Sequence, residues 1–499
     1  MIDNHILATV LIQLFTAILQ LVFWQKTLTQ RILSVLGSTL AVCFSIELFS
    51  KVFTGETLVM NAAGWQAPFG IVFVADLFSS TLVVLTSLAG LAISLFSCVG
   101  ISKPRLDYGY FPVFHFLIMG LTGAFLTGDI FNLYVWFEVI IIASFVLMTL
   151  GGRKTQLEGS VKYMALNILA STFFLTGIAL LYGLTGTLNM ADLAVKIREI
   201  DNPYLIEFAA IFFLLGFGTK SAIFPLYYWL PSSYHTPPSA VAATFGGLLT
   251  KVGVYAMFRV FTLIIPPSQF MQNILLFLAA LTVLTGIFGM VNKRNIRKLF
   301  SYLIICHIGF MIGGLALFTK TAFLGGITYL IHDIIVKTNL FLVAGLMSFM
   351  RGSANYDNLG GLYKDYPKIS LIIAVVLFSL VGVPPLSGFW PKIYLFGASL
   401  DANAYLFFCA LILGSFFTLS VVIKLWSEAF WKEPKNREKL VDKFTVLPSK
   451  KKVFLILPIG LLAGISLMIG LNIEFVIQVA DRISDELLDS SSYIQTVLK

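Results

Sequence analysis

The sequence GFGTKSAIFPLYYWLP, residues 216–231, places a lysine and a proline inside an otherwise apolar run. Lys220 lies between Phe217 and Ile223, and Pro225 follows it five residues later. A lysine at the centre of a membrane helix costs about 2.5–3.5 kcal/mol on insertion scales. A proline in a helix interior removes a backbone hydrogen bond. The stretch therefore predicts a membrane helix that breaks beside a buried cation.

The composition of the whole chain is that of an integral membrane protein. Of its 499 residues, 58% are hydrophobic and 12% are charged, whereas soluble domains carry about 25% charged residues. Apolar runs of about 20 residues, long enough to cross a bilayer, predict an all-α membrane protein with about 14 spans and no soluble domain. The predicted spans are 5–24, 32–53, 70–100, 111–128, 130–150, 162–187, 207–231, 239–262, 272–291, 299–318, 322–349, 369–400, 404–429 and 453–474.

The basic residues in the loops and at the adjoining span ends are distributed unevenly. After odd-numbered spans there are 22 of the 34 lysines and arginines, eight of them in residues 432–452, whereas after even-numbered spans there are five, including Lys51 and Arg259. The positive-inside rule then predicts that both termini lie outside. The net charge of +9 is therefore a topology signal, and the sequence predicts no nucleic-acid partner.

Several ionisable residues lie within the predicted spans. Such residues are rare in membranes and mark ion or proton pathways. Four of them, Glu138, Lys220, Lys251 and Lys392, have no residue of opposite charge nearby in the sequence, which favours a functional role. Others within spans include Lys337, Lys424, Asp333, His307 and His332.

For two of these residues the sequence leaves a structural alternative open. Asp333 and Lys337 are four residues apart and share one helix face, so they are either a compensating ion pair or part of a proton relay. His307 is either a hydrogen-bonded core histidine or a proton-transfer group. His332, beside Asp333, favours the relay.

Charges nearer the span ends favour a simpler interpretation. Lys424 and Glu428 are also four residues apart, which predicts a local ion pair with the lysine reaching towards the interface. Asp76 and Asp129 lie near the outer edge of the membrane and are expected to be solvated.

The chemistry that a buried lysine offers is proton exchange. Desolvation disfavours the ammonium form, so a buried lysine can gain and lose a proton near physiological pH, and a nearby carboxylate opposes this. A glutamate and a lysine whose separation changes would therefore bind and release a proton in turn. No His, Cys or carboxylate cluster in the sequence has metal-ligand spacing, so no metal site is expected.

A second stretch, GVPPLSGFWPK at residues 382–392, also combines prolines with a lysine. Pro384 and Pro385 are expected to break span 12 as Pro225 breaks span 7. Broken helices at corresponding positions of two halves indicate a transport site near mid-membrane. Because the breaks are five spans apart and five is odd, the sequence predicts two inverted five-helix repeats, spans 4–8 and 9–13. The expected domains are N-terminal helices 1–110, a first repeat 111–262, a second repeat 272–429, and 430–499, which holds a basic inner loop, helix 14 and a tail.

Four motifs resemble one known family: GAFLTGDIFNLYVWFEV (123–139), GTKSAIFPLYYWLPSSYHTPPSAVAATFGGLLTKVGVYAMFR (218–259), RNIRKLFSYLIICHIGFM (294–311) and GVPPLSGFWPKIYLFGA (382–398). They are similar to motifs of the antiporter-like subunits shared by respiratory complex I, membrane hydrogenases and Mrp cation/proton antiporters. The resemblance covers nearly the whole chain. The length and the absence of a long lateral helix after span 14 make it most similar to the Mrp branch.

The resemblance implies roles for matched positions. Glu138 corresponds to the span 5 glutamate that pairs with the span 7 lysine, here Lys220. Lys251 corresponds to the span 8 lysine that passes protons towards the centre, and Lys392 to the terminal group of span 12. The central hydrophilic axis continues in spans 10 and 11, where this chain has His307, His332 and Lys337.

The resemblance also implies partners and a location. We expect a subunit of a multi-subunit Mrp antiporter in a bacterial cell membrane, acting with the other subunits on protons and Na+. The alternative is a proton-pumping subunit of a redox complex, and a third, weaker one is a standalone carrier of an organic substrate. The sequence has no nucleotide, quinone or cluster motif, so this chain is expected to bind no cofactor and not to be an enzyme by itself.

Overall fold

A computed structural model describes residues 5–55, 57–434 and 442–499. In these residues, twelve helices are long and apolar enough to cross a membrane, and two shorter apolar helices, Tyr110–Leu126 and Pro367–Val381, complete the predicted set of fourteen. An even number of spans leaves both termini on one side of the membrane. That side is called the termini side below, and the opposite one the basic side.

The helices of the spans follow the predicted order, with small shifts at their ends. Spans 7 and 12 each consist of two helices, and spans 8 and 13 contain π-helical turns. Their bounds are His5–Val22, Thr27–Phe53, Leu77–Gly100, Tyr110–Leu126, Ile130–Thr149, Lys154–Thr185, Pro203–Ser221 with Trp229–Ser233, Ser239–Ile264 with π turns at Phe245–Leu249 and Val260–Ile264, Gln269–Met290, Ile296–Ala316, Lys320–Arg351, Pro367–Val381 with Phe389–Asp401, Tyr405–Trp431 with a π turn at Ser427–Trp431, and Ser449–Leu471.

Shorter elements lie between and after the spans. The helices are Lys103–Asp107, Met190–Lys196, Leu362–Asp365, Lys443–Val446, Ile473–Leu488 and Ser491–Val497, and the 3-10 turns are Ala62–Gly64, Ile197–Glu199 and Tyr356–Asn358.

The chain departs from the all-α prediction before span 3. Two antiparallel strands, β1 (Leu58–Asn61) and β2 (Val72–Ala75), form a hairpin, and the helix begins only at Leu77 rather than at residue 70. The apolar run had been assigned wholly to the membrane, but the β-branched sequence VFVA favours a strand. Asp76 then caps the helix, because its side chain accepts a hydrogen bond from the amide of Ser79 at 2.8 Å.

The predicted inverted repeat has a matching hydrogen-bonded feature in each half. Asp129, before span 5, pairs with Asn189, after span 6, in an isolated antiparallel bridge. Asn295, before span 10, pairs with Asn355, after span 11, in the same way. The two bridges are five spans apart and so lie on opposite sides of the membrane. They support spans 4–8 and 9–13 as repeats, whereas the domain boundaries remain a prediction.

The two broken helices also end alike. The residue after each first helix, Ala222 or Gly382, has a left-handed backbone with φ of 63° or 83°. The next amide, of Ile223 or Val383, donates to the carbonyl five residues earlier, which is the bond that closes a Schellman motif. The predicted breaks are confirmed: Pro225 lies in the non-helical segment 222–228, and Pro384 and Pro385 lie in 382–388.

Spans 8, 10 and 11 form the centre of the molecule. The most apolar part of spans 8 and 11 is completely buried and that of span 10 is 94% buried, whereas it is 33–39% in spans 1 and 2. Charged side chains in the middle of these three helices are therefore surrounded by protein on all sides.

Candidate functional site

Lys220 ends the first helix of span 7 and points towards span 6. Its Nζ donates to the main-chain carbonyl of Asn167 at 3.3 Å and to Oγ of Ser171 at 3.2 Å. The ammonium also lies 5.4 Å from the centre of the Phe137 ring. A cavity of about 10 Å³ borders Lys220 and Asn167, which is about the space that one water needs.

Glu138 lies beside Phe137 on span 5, but its carboxylate is not in ion-pair contact with Lys220 among the described residues. Its Oε1 is buried and has no hydrogen-bond partner in the described part of the chain. The direct pair implied by the resemblance is therefore not formed in this structure. Because Lys220 binds neutral acceptors instead, its position is fixed without the glutamate.

Lys251 follows the π turn of span 8. Its Nζ donates to the carbonyl of Gly246 at 2.7 Å and lies 2.8 Å from Oδ2 of Asp333, with both charged side chains completely buried. Gly247 lets span 8 pack closely against span 11, since an added Cβ would lie 1.9 Å from Oγ1 of Thr338 on span 11. A residue with no charged neighbour in sequence thus has its counter-ion in span 11.

Asp333 is the shared carboxylate of the buried centre. Besides Lys251, its Oδ1 lies 3.3 Å from Nδ1 of His307 and 3.8 Å from Nζ of Lys337. Lys337 in turn donates to the carbonyl of Leu303 at 3.0 Å. The i,i+4 spacing pointed to Lys337 as the partner and missed the closer contact with Lys251, and Asp333 was not among the expected proton-transfer residues.

His332 and Lys392 meet the break in span 12. Nδ1 of His332 lies 2.8 Å from Oγ of Ser387, a residue within the non-helical segment. That hydroxyl is 2.7 Å from Ser466, whose hydroxyl donates to Ser379 at 3.0 Å. Lys392 donates to the carbonyl of Val381, the last residue of the first helix, at 2.6 Å.

The predicted site residues therefore lie in three separate groups in the structure. The first holds Glu138 and Lys220, the second holds Lys251, His307 and Lys337 around Asp333, and the third holds His332 and Lys392. All four lysines donate to a main-chain carbonyl.

Three expectations about the span ends are wrong. Glu428 pairs with Lys432 at 2.5 Å, not with Lys424, which is exposed. Asp76 and Asp129 are buried rather than solvated. Both carboxylates accept hydrogen bonds from the amides of helix N-termini, which replace the water that the sequence led us to expect.

Comparison with known proteins shows the family of this fold. Residues 127–418 match the model of the NADH:quinone oxidoreductase/Mrp antiporter transmembrane family. The chain belongs to this family. The match includes every predicted site residue.

The similar proteins include components of antiporters. Two proteins that are named as subunits of a Na(+)/H(+) antiporter, from Alkalihalophilus pseudofirmus and Bacillus subtilis, are each 40% identical over the full length of both chains. A chain of the Mrp complex from Dietzia sp. has a TM-score of 0.89 and 28% identity, covering 99% of each chain. A chain of an archaeal membrane-bound sulfane sulfur reductase has a TM-score of 0.92 and 26% identity, covering 99% of this chain and 100% of that one.

The geometry predicts which of the two lysines near Asp333 is its main counter-ion. Asp333→Asn should destabilise the protein by about 3–5 kcal/mol, because it leaves Lys251 buried without a counter-ion. Adding Lys251→Gln should recover most of this loss, whereas adding Lys337→Gln should recover less, since Lys337 lies farther from the carboxylate. Thermal unfolding of the purified complex at matched lipid content measures both. Equal recovery by the two double variants would show that the closer contact is not the stronger one.

Proposed function

We propose that the chain is the proton-conducting subunit of a multi-subunit Na+/H+ antiporter, a secondary transporter rather than an enzyme. The observation that carries the proposal is the set of four buried lysines, each held by a main-chain carbonyl. Lys220 also contacts a hydroxyl, and Lys251 and Lys337 lie beside the Asp333 carboxylate. The names of the full-length relatives support Na+ and H+ as the exchanged ions, and the Mrp complex supports the multi-subunit assembly.

Each of the three groups has a distinct part in the proposed transfer. A main-chain carbonyl can hold a lysine in either protonation state, because it accepts a hydrogen bond from an N–H of the ammonium and also from an N–H of the neutral amine. In the central group, Lys251, Lys337 and His307 all interact with one carboxylate, that of Asp333. Adding a proton to one of these three bases therefore makes protonation of the other two less favourable. The negative charge of Asp333 keeps a cation favourable there despite the low dielectric.

In the third group, hydroxyls connect the histidine to the span 12 break. A hydroxyl both accepts and donates a hydrogen bond, so Ser387 can receive a proton from His332 while passing another to Ser466. Lys392 lies at the same break, bonded to Val381. Its proton can leave when that segment moves, since the carbonyl that holds it belongs to the interrupted helix.

One observation favours a second candidate, a membrane subunit of a respiratory redox complex. The archaeal sulfane sulfur reductase chain superposes with a TM-score of 0.92. The proteins that co-purify with this chain distinguish the two. Small membrane subunits without redox centres support the antiporter, whereas subunits that carry iron–sulfur clusters support the redox complex.

The proposal predicts that the central and terminal lysines must release protons. Lys251→Arg and Lys392→Arg keep the positive charge, but arginine does not deprotonate in proteins. Na+-dependent proton flux in vesicles should fall by about a hundredfold or more, the contribution expected of a positioned acid or base, at normal protein levels. Near-normal flux in both variants would contradict the relay at these positions.

The proposal also predicts that Glu138 and Lys220 act together despite their lack of contact. Glu138→Ala and Lys220→Ala should each abolish Na+-dependent proton flux while the complex still assembles. Glu138→Asp should retain part of it, because the charge remains with a shorter reach. Lys424→Ala, which removes an exposed lysine, is the control and should be close to wild type. Normal flux in either alanine variant would remove that residue from the path.

We further propose that the termini side is the outside of the cell. In a Cys43→Ser, Cys409→Ser background, which removes the exposed native thiols, Lys499→Cys should react with a membrane-impermeant maleimide in intact cells. Lys364→Cys, exposed on the basic side, should react only after the cells are opened. The reverse pattern would overturn the orientation.

A further inference from the structure

A polar cavity lies on the termini side, where the tail covers the outer end of span 8. Its volume is about 70 Å³, several times the 10–15 Å³ or so that a single water needs. Three carboxylates and two guanidiniums line it, namely those of Asp76, Glu486, Asp489, Arg259 and Arg482. Ser492, which is exposed, also lines the cavity and connects it with the surface. The site is separate from the three groups described above.

The floor of the cavity is a buried ion pair between spans 3 and 8. Nη2 of Arg259 lies 2.5 Å from Oδ2 of Asp76, and each side chain is 6% exposed. The guanidinium also lies over the rings of Phe78, Tyr255 and Tyr493, at 5.2–5.8 Å from their centres. Because arginine does not release its proton, this pair fixes the local charge and does not itself conduct.

Span 8 links the cavity to the central group. Lys251, Tyr255 and Arg259 follow at i, i+4 and i+8, so they share one helix face and extend over about 12 Å. Nε of Arg259 donates to the hydroxyl of Tyr255 at 3.3 Å, and that hydroxyl donates to the carbonyl of Phe125 at 2.7 Å. The face thus bears polar groups at each turn from the central lysine to the cavity.

Glu486, on the tail helix Ile473–Leu488, is the titratable group of this cavity best placed to exchange protons. Burial and the charge of Asp76 raise the pKa of Glu486 to about 7, against the opposing charges of Arg259 and Arg482. It forms no ion pair within the described residues. The other ionisable groups that line the cavity are Asp489 at the rim and Tyr493.

Resting on the proposed function, we propose that this cavity is the proton port of the chain on the termini side and that Glu486 exchanges the proton there with water. In one direction the carboxyl O–H bond breaks, a water in the cavity takes the proton, and the carboxylate remains facing Arg259 and Arg482. In the other direction a hydronium ion returns the proton to the carboxylate. The port therefore opens at the end of the span that carries Lys251 rather than at the terminal Lys392.

The tail is held over the cavity by contacts that do not use the Glu486 side chain. Lys320, at the start of span 11, pairs with Asp481 and Asp485 at 3.1 and 2.9 Å. Arg482 donates to the carbonyl of Phe53, at the end of span 2, at 2.8 Å. These contacts should keep the tail docked when Glu486 is substituted, so a change at this position tests proton exchange.

The test varies the pH on the termini side of vesicles that hold the complete complex, at fixed pH on the basic side. Wild-type flux should show an inflection near pH 7, set by Glu486. Glu486→Gln should abolish the inflection and lower flux about tenfold, which is less than the ~100-fold or more expected of a positioned acid or base, since waters remain. Glu486→Asp should keep an inflection, and Glu474→Gln, an exposed carboxylate on the same helix, should match wild type.

A second variant tests the cause of the inflection. The positive charge of Arg482 lowers the pKa of Glu486, so Arg482→Gln should move the inflection to higher pH. A purely structural role of Arg482 would lower flux at every pH without moving it.

The port would be overturned if Glu486→Gln kept wild-type flux and the wild-type pH profile, or if Arg482→Gln left the inflection at the same pH. If Glu486→Gln does not assemble, loss of the inflection in an assembled Glu486→Asp complex would overturn it. If any of these occurs while Lys251→Arg still abolishes flux, the port is wrong and the proposed function stands. Normal flux in Lys251→Arg would count against the function itself.

Discussion

The structure depends on one constraint: inside a membrane, every buried ammonium must find its acceptors within the protein. Lys251 and Lys392 meet it at irregular backbone, where a π turn and a broken helix present the carbonyls of Gly246 and Val381. Lys220 and Lys337 use carbonyls of neighbouring regular helices. Irregular helices therefore supply the acceptors of two of these cations, so the break of span 12 at Pro384 and Pro385 and the π turn of span 8 have the same role.

The distribution of carboxylates makes the three groups unequal. Asp333 serves Lys251, Lys337 and His307, so the central group has a buried negative charge that holds a proton among several bases. Lys220 and Lys392 have neutral acceptors at hydrogen-bond distance instead. The central group is thus suited to storing a proton, while the two outer lysines are suited to passing one on when a carboxylate or a segment moves.

Much of the fold could be predicted from the sequence, because apolar runs, prolines and basic loops each depend only on residues that are close together in the sequence. The fourteen spans, the breaks at Pro225 and in 382–388, and the five-span offset all follow from such properties. Partners across helices could not be predicted in this way. Spacing pointed to Lys337 as the partner of Asp333, whereas packing brought Lys251 of another span nearer. For Glu428 the i,i+4 rule held, but the partner is the lysine after it, Lys432, and not Lys424. Arg259 was counted with the loop cations, but it is buried beside Asp76, a counter-ion 183 positions earlier in the chain that spacing does not indicate.

The central claim is that the buried lysines change their protonation state during transport. Solid-state ¹⁵N NMR of lysine side chains in the lipid-embedded complex measures this directly, with Lys251, Lys337 and Lys392 assigned from their single arginine variants. We predict that at least one of these signals moves between the ammonium and the amine position across the pH range in which antiport occurs. Signals that all remain at the ammonium position throughout that range would contradict the relay.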